Sequence, residues 1–92
     1  MKVIGHFING REVSSNSKKT ANVFNPATGE IQRKVSLGLA SELNEAVDKA
    51  KESQPAWGAT NPQKRARVIM KFIDLLHRDM DELATVLSSE HG

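Results

Sequence analysis

The side chains that could do chemistry here are three histidines, a terminal hydroxyl–acid–imidazole run and a group of cations. His6, His77 and His91 lie far apart in the sequence. None has a second histidine three or four residues away, the spacing that brings imidazoles together on a zinc ion. Ser88-Ser89-Glu90-His91 holds a hydroxyl, a carboxylate and an imidazole in succession. Adjacent helical residues point in different directions, so this order does not make a triad. Lys64, Arg65, Arg67 and Lys71 could hold phosphate. No glycine-rich loop precedes them and no aromatic residues interleave with them, so they read as a solvated helix face. The glycines never fall into Gly-x-Gly-x-x-Gly, so there is no dinucleotide fingerprint. Trp57, the only tryptophan, reads as an anchor between helices. His77 sits beside an apolar stripe and is expected to be partly buried.

What is missing narrows the chemistry further. There is no cysteine, which excludes disulfides, thiolate metal sites and a thiol nucleophile. Thirteen basic and 11 acidic residues leave a net charge of +2, too balanced to point to nucleic acid or an anionic membrane. The first residues lack a signal peptide's apolar core, and no apolar run could span a bilayer. A soluble cytoplasmic protein is the default expectation. Ninety-two residues make one domain at most, with a modest core.

The elements that must position these side chains are legible as strands followed by helices. Residues 4–13 read as a hairpin, because Asn9-Gly10 favours the positive φ values of a type I′ turn. Ser14 to Lys19 is polar and reads as a loop. Thr20 to Phe24 reads as a strand ended by Asn25-Pro26, and Pro26 and Gly29 suit the turn that follows. Ile31, Arg33, Val35 and Leu37 then alternate with polar residues, the period of a half-buried strand. Arg33 interrupts its apolar face.

Ser41 predicts a helix cap, with Glu42 in the first turn favouring the dipole. Leu43, Ala46, Val47 and Ala50 follow at helical spacing, and Pro55 predicts an end or kink near Ser53. Asn61-Pro62 predicts a second helix, with Asn as cap and Pro first. Its two apolar stripes, Ile69, Ile73, Leu76 and Val68, Phe72, Leu75, form an arc normally covered from two sides. A helix lying on the sheet fits this pattern better than a coiled-coil seam. Asp79 and Glu82 have capping-box spacing and predict a break near Arg78–Asp79. The class is therefore α+β: antiparallel strands over about 4–37, then helices over about 41–53, 62–78 and 79–90.

Four stretches, in order, carry a resemblance: Phe7-Ile-Asn-Gly10, Asn25-Pro-Ala-Thr-Gly-Glu30, Gln54 to Phe72, and Ser88-Ser-Glu-His-Gly92. Together they resemble the opening of an aldehyde dehydrogenase. The tract from Gln54 to Arg67 is most similar to the CoA-acylating, methylmalonate-semialdehyde branch. The resemblance implies an α/β dehydrogenase fold, of which residues 1–92 form the N-terminal part of the NAD-binding domain. The rest of that domain and the catalytic domain are expected to lie outside this chain. It also implies NAD as oxidant, coenzyme A as acyl acceptor, and methylmalonate or malonate semialdehyde as substrate. The family's cysteine, general base and nicotinamide-site residues have no counterpart in these 92 residues, so neither catalytic nor cofactor-binding residues are assigned. The chain alone is expected to be inactive and to bind neither cofactor. One family feature has matching positions: a monovalent cation held by the carbonyls of Val23 and Phe24 and the carboxylate of Glu90, with further oxygens from elsewhere.

The alternative is a stand-alone helical interaction module without catalysis. On either reading the apolar helix face needs a partner. The expectation is self-association, most simply as a two-fold dimer, or docking to the remainder of a dehydrogenase.

Overall fold

A computed structural model describes residues 2–92. Five short strands precede three helices: β1 (Val3–Ile4), β2 (His6–Ile8), β3 (Arg11–Val13), β4 (Thr20–Phe24), β5 (Ile31–Ser36), α1 (Ala40–Ala59), α2 (Pro62–Arg78) and α3 (Met80–His91). The α+β order follows the sequence pattern, with two refinements in the strands. The first stretch divides at Gly5, where an added Cβ would stand 2.6 Å from the Val13 carbonyl oxygen. β1 then pairs in parallel with β5, and only β2 and β3 form the hairpin. Its turn is the expected one, with Asn9 at φ 56° and Gly10 at φ 78°.

β4 and β5 pair antiparallel around the Asn25–Gly29 turn. In that turn the Asn25 side chain accepts the Ala27 N–H, and Gly29 takes φ 75°. Val23 faces Arg33, but Phe24 faces Ile31, so Gln32 is an extra residue bulged out of the ladder. The bulge explains why strict alternation fails at the middle of this strand.

The helices depart from the sequence pattern at both ends of α1. The cap is Leu39, not Ser41. Leucine offers no side-chain acceptor, so the reciprocal half of a capping box does the work: the Glu42 carboxylate accepts the Leu39 N–H at 2.9 Å. Glu42 is itself held by the loop before α1, and this tether sets where the helix starts. At the other end α1 runs through Pro55 to Ala59. Proline deprives the Lys51 carbonyl of its donor, but Lys51 is exposed and water can serve it. Trp57 therefore lies in the last helical turn rather than in a connecting loop.

The corner between α1 and α2 is closed by side chains. The Thr60 hydroxyl donates to the Ala56 carbonyl at 2.7 Å, and Arg65 Nε donates to the Thr60 carbonyl at 3.0 Å. Asn61 caps α2 through the Gln63 N–H at 2.8 Å, with Pro62 in the first turn. The break at Asp79 is where the sequence places it, but the carboxylate does not cap α3. Arg78 holds it instead, at 3.0 and 2.9 Å.

No residue among those described is buried, and there is no core. The radius of gyration is 16.9 Å, against about 12 Å for a compact chain of this length. The molecule is a slab of 47 × 35 × 15 Å. The expectation of a helix lying on the sheet does not hold: α2 leaves both apolar stripes largely in water. No helix is long and apolar enough to cross a membrane.

Candidate functional site

Two polar clusters fasten the helices to the strands. The first is built around Glu42, in the first turn of α1. Its Oε1 accepts the Ser15 hydroxyl at 2.6 Å, the Leu39 N–H at 2.9 Å and His6 Nε2–H at 3.1 Å. Its Oε2 accepts the Asn16 N–H at 3.0 Å. The Ser15 hydroxyl, followed by the Leu39 and Asn16 amides and His6, lowers the carboxyl pKa from 4.5 to about 2. Desolvation opposes this and loses, because four donors replace the lost water. Gly38 lets His6 reach this point, since an added Cβ would stand 3.1 Å from the imidazole. The cluster is a fastening, with an acceptor saturated by donors and no unshared oxygen poised for proton transfer.

The second cluster joins the bulge of β5 to the end of α3, and it contains the positions matched to a cation site. The Gln32 side-chain amide donates to the Ser89 carbonyl at 2.6 Å and to the Phe24 carbonyl at 3.4 Å. Arg33, which faces Val23 across the ladder, reaches Glu90 Oε1 at 3.3 Å. Chain folding thus brings β4 and Glu90 to one place across a separation of more than 50 residues. In this arrangement the Phe24 carbonyl and the Glu90 carboxylate each already accept from a donor. A monovalent cation there would share the Phe24 carbonyl with Gln32 and the Glu90 carboxylate with Arg33.

The remaining candidates stay apart. Among the described residues no group of three or more His, Asp or Glu could hold a metal ion. His77 is exposed rather than partly buried, because nothing covers its flank of α2. In the terminal run, Ser89 Oγ donates to the Val86 carbonyl while Glu90 turns to Arg33, so no triad forms. Arg65 is spent on the Thr60 carbonyl and does not join Lys64, Arg67 and Lys71 in a phosphate cradle.

A concave surface lies between the β2–β3 hairpin and α1. Its two adjoining hollows, about 460 and 300 Å³, share Phe7, Ile8 and Ala46. Its lining includes Ser53, whose hydroxyl donates to the Lys49 carbonyl at 3.1 Å, and Lys49, whose ammonium pairs with Glu52 at 3.5 Å. Sequence reading missed the roles of Glu42 and Gln32. The available signals were an acid at the third helical position and a polar residue beside the one charge on an otherwise apolar strand face.

Residues 13–92 match the aldehyde dehydrogenase family. The malonate-semialdehyde dehydrogenase of Pseudomonas aeruginosa is 41% identical over 92 residues, which are all of this chain and 18% of that protein. The enzyme of the same description from Halalkalibacterium halodurans is 44% identical over 87 residues, 95% of this chain and 18% of that protein. Among solved structures, the protein from Sinorhizobium meliloti 1021 described as a methylmalonate-semialdehyde dehydrogenase, complexed with NAD, superposes with a TM-score of 0.96. It is 54% identical, over 100% of this chain and 19% of that one. The methylmalonate-semialdehyde dehydrogenase of Oceanimonas doudoroffii gives a TM-score of 0.95 at 42% identity, with the same coverage. The chain thus spans about a fifth of the length of these relatives. With a family match across most of its residues and an unbroken likeness of path, this chain belongs to the aldehyde dehydrogenase family.

Proposed function

We propose that this chain serves as the N-terminal part of the NAD-binding domain of a dehydrogenase acting on malonate or methylmalonate semialdehyde. In that enzyme NAD would supply the hydride acceptor and coenzyme A the acyl acceptor. The observation that carries this reading is the similarity along the whole of the chain, at 54% identity and a TM-score of 0.96 to one such dehydrogenase. These residues contribute architecture: Glu42 fastens the hairpin to α1, and Gln32 with Arg33 fastens β5 to α3. Without cysteine the chain has no thiol to form a covalent acyl intermediate, so it has no turnover of its own.

A chimera tests both parts. The 92 residues replace the matching segment of the Pseudomonas aeruginosa dehydrogenase, and NADH formation is followed with malonate semialdehyde and coenzyme A. The chimera is expected to turn over, and the isolated chain is expected to give no signal above buffer. A chimera that assembles but reduces NAD only with unrelated aldehydes, or turnover by the chain alone, would overturn the reading.

A further inference from the structure

Asn9 stands at the tip of the β2–β3 hairpin and is followed by a glycine. The amide carbon of an asparagine side chain can be attacked by the backbone nitrogen of the next residue. That nitrogen must have a proton to lose, must not be committed to another hydrogen bond, and must not be screened by its own side chain. Gly10 meets all three conditions. Even a Cβ added there would meet nothing within 4 Å. Among the described residues no backbone carbonyl accepts the Gly10 N–H, because the ladder closes at the Ile8–Arg11 pair. The hairpin is also a sheet of two strands only. Such a pair is marginally stable in water, so its tip opens readily.

The other five asparagines each fail a condition. Asn25 and Asn61 precede prolines, whose nitrogen carries no proton. Ser17, after Asn16, spends its N–H on the Ser15 hydroxyl at 3.0 Å, while Glu42 holds the N–H of Asn16 itself. Asn22 lies within β4 and is followed by the β-branched Val23. Asn44 lies within α1, where the N–H of Glu45 belongs to the helical ladder.

We propose that Asn9 is a self-modification site, converting to aspartate and isoaspartate. Gly10 N gives its proton to hydroxide and bonds to Asn9 Cγ. The Cγ–Nδ2 bond breaks, and that nitrogen leaves as ammonia with a proton taken from water. The product is a cyclic succinimide, which water opens at either carbonyl. Opening at Cγ breaks the new bond and leaves aspartate. Opening at the main-chain carbonyl breaks the old peptide bond and leaves isoaspartate, with the chain running through Cγ. One water enters and one ammonia leaves, with no oxidant or reductant. Aspartate tolerates the left-handed backbone as asparagine does and keeps the turn. Isoaspartate adds a backbone carbon to a two-residue loop and breaks the pairing of Ile8 with Arg11. Its α-carboxylate is the group that an isoaspartyl methyltransferase esterifies, so a repair enzyme of that class is the partner it would recruit.

The test incubates the 92-residue chain at neutral and mildly alkaline pH, in native buffer and in guanidinium chloride. Tryptic peptides are read by mass spectrometry, and isoaspartate by enzymatic methylation. The peptide Val3–Arg11 is expected to show amide-to-acid exchange in both solvents, with isoaspartate exceeding aspartate and a rate that rises with hydroxide. Glu12–Lys18, which carries Asn16, is expected to change only in denaturant. Asn9→Gly should abolish methylation in native buffer, and Gly-Gly still suits a type I′ turn. Asn9 left intact in native buffer overturns the proposal, as does a rate indifferent to hydroxide. So does Asn16 converting as readily as Asn9 in native buffer, since the contacts around Glu42 would then select nothing. Methylation that survives Asn9→Gly places the site elsewhere and overturns it too.

Discussion

Glu42 gathers donors from three separate segments, whereas Asp79 is held by the residue beside it. Both are carboxylates at the start of a helix, and both have lowered pKa values. For Asp79 the largest cause is the hydrogen bond from Arg78, its sequence neighbour. A pair one residue apart can form in the unfolded chain as well, so it discriminates little between the states. The donors to Glu42 lie as far as 36 residues away and converge only when the strands are in place. A lowered pKa reports a hydrogen bond; it reports tertiary stability only when the partner is distant.

The contrast can be broken by substitution in the chimeric dehydrogenase. Glu42→Ala should have the largest effect: a lower thermal midpoint, with loss of hydrogen-exchange protection in the hairpin and at Asn16. Glu42→Gln should do less harm, since the amide retains one carbonyl acceptor. If the two variants match the parent, the cluster is not a fastening.

The same residue should shape the acid limb. A carboxylate with a lowered folded pKa contributes stability that is in place above the unfolded value near 4.5 and is lost as pH falls toward about 2. Stability measured through that window should fall less steeply in Glu42→Gln than in the parent. Equal slopes would show that Glu42 has the same affinity for protons in both states.

Two residues at helix starts complete the series. Asn61→Ala removes a side-chain acceptor that α2 uses, and should cost about 0.5–2 kcal/mol by denaturant titration. Asp79→Ala should have the smallest effect, because the side chain caps nothing and its partner is local and exposed. A loss at Asp79 equal to that at Asn61 would mean that the carboxylate turns to the helix amides in the assembled enzyme.

How much was legible follows from the range of the interactions. Asn9-Gly10, Asn25 with Gly29, and Asn61-Pro62 state their turns and caps outright, because a positive φ or a missing N–H is a property of one or two residues. Thr20–Phe24 was legible for the same reason, flanked by a polar loop and a proline turn. The start of α1 was not: Ser41 is the better cap by residue type, and only the tether on Glu42 moves the start to Leu39. Pro55 misleads in the other direction. Its missing hydrogen bond ends a helix only where the orphaned carbonyl has no other donor, and exposure at Lys51 supplies water.

The candidate site divides along the same line. The family was legible, because it is carried by short motifs in fixed order. That Gln32 would leave the ladder and meet Ser89, or that Arg33 would take Glu90, was not, since both depend on a bulge in one strand and the end of a helix 57 residues away. By itself, the sequence determined the element order, the turns, the α2 cap, the break at Asp79 and the absence of a thiol, all consequences of local backbone geometry and residue chemistry. Only the tertiary structure decided where α1 begins, which carboxylate acts over distance, and that the apolar arc of α2 finds no cover within the chain. Long-range hydrogen bonding and burial depend on which segments meet, and one-dimensional spacing does not encode that.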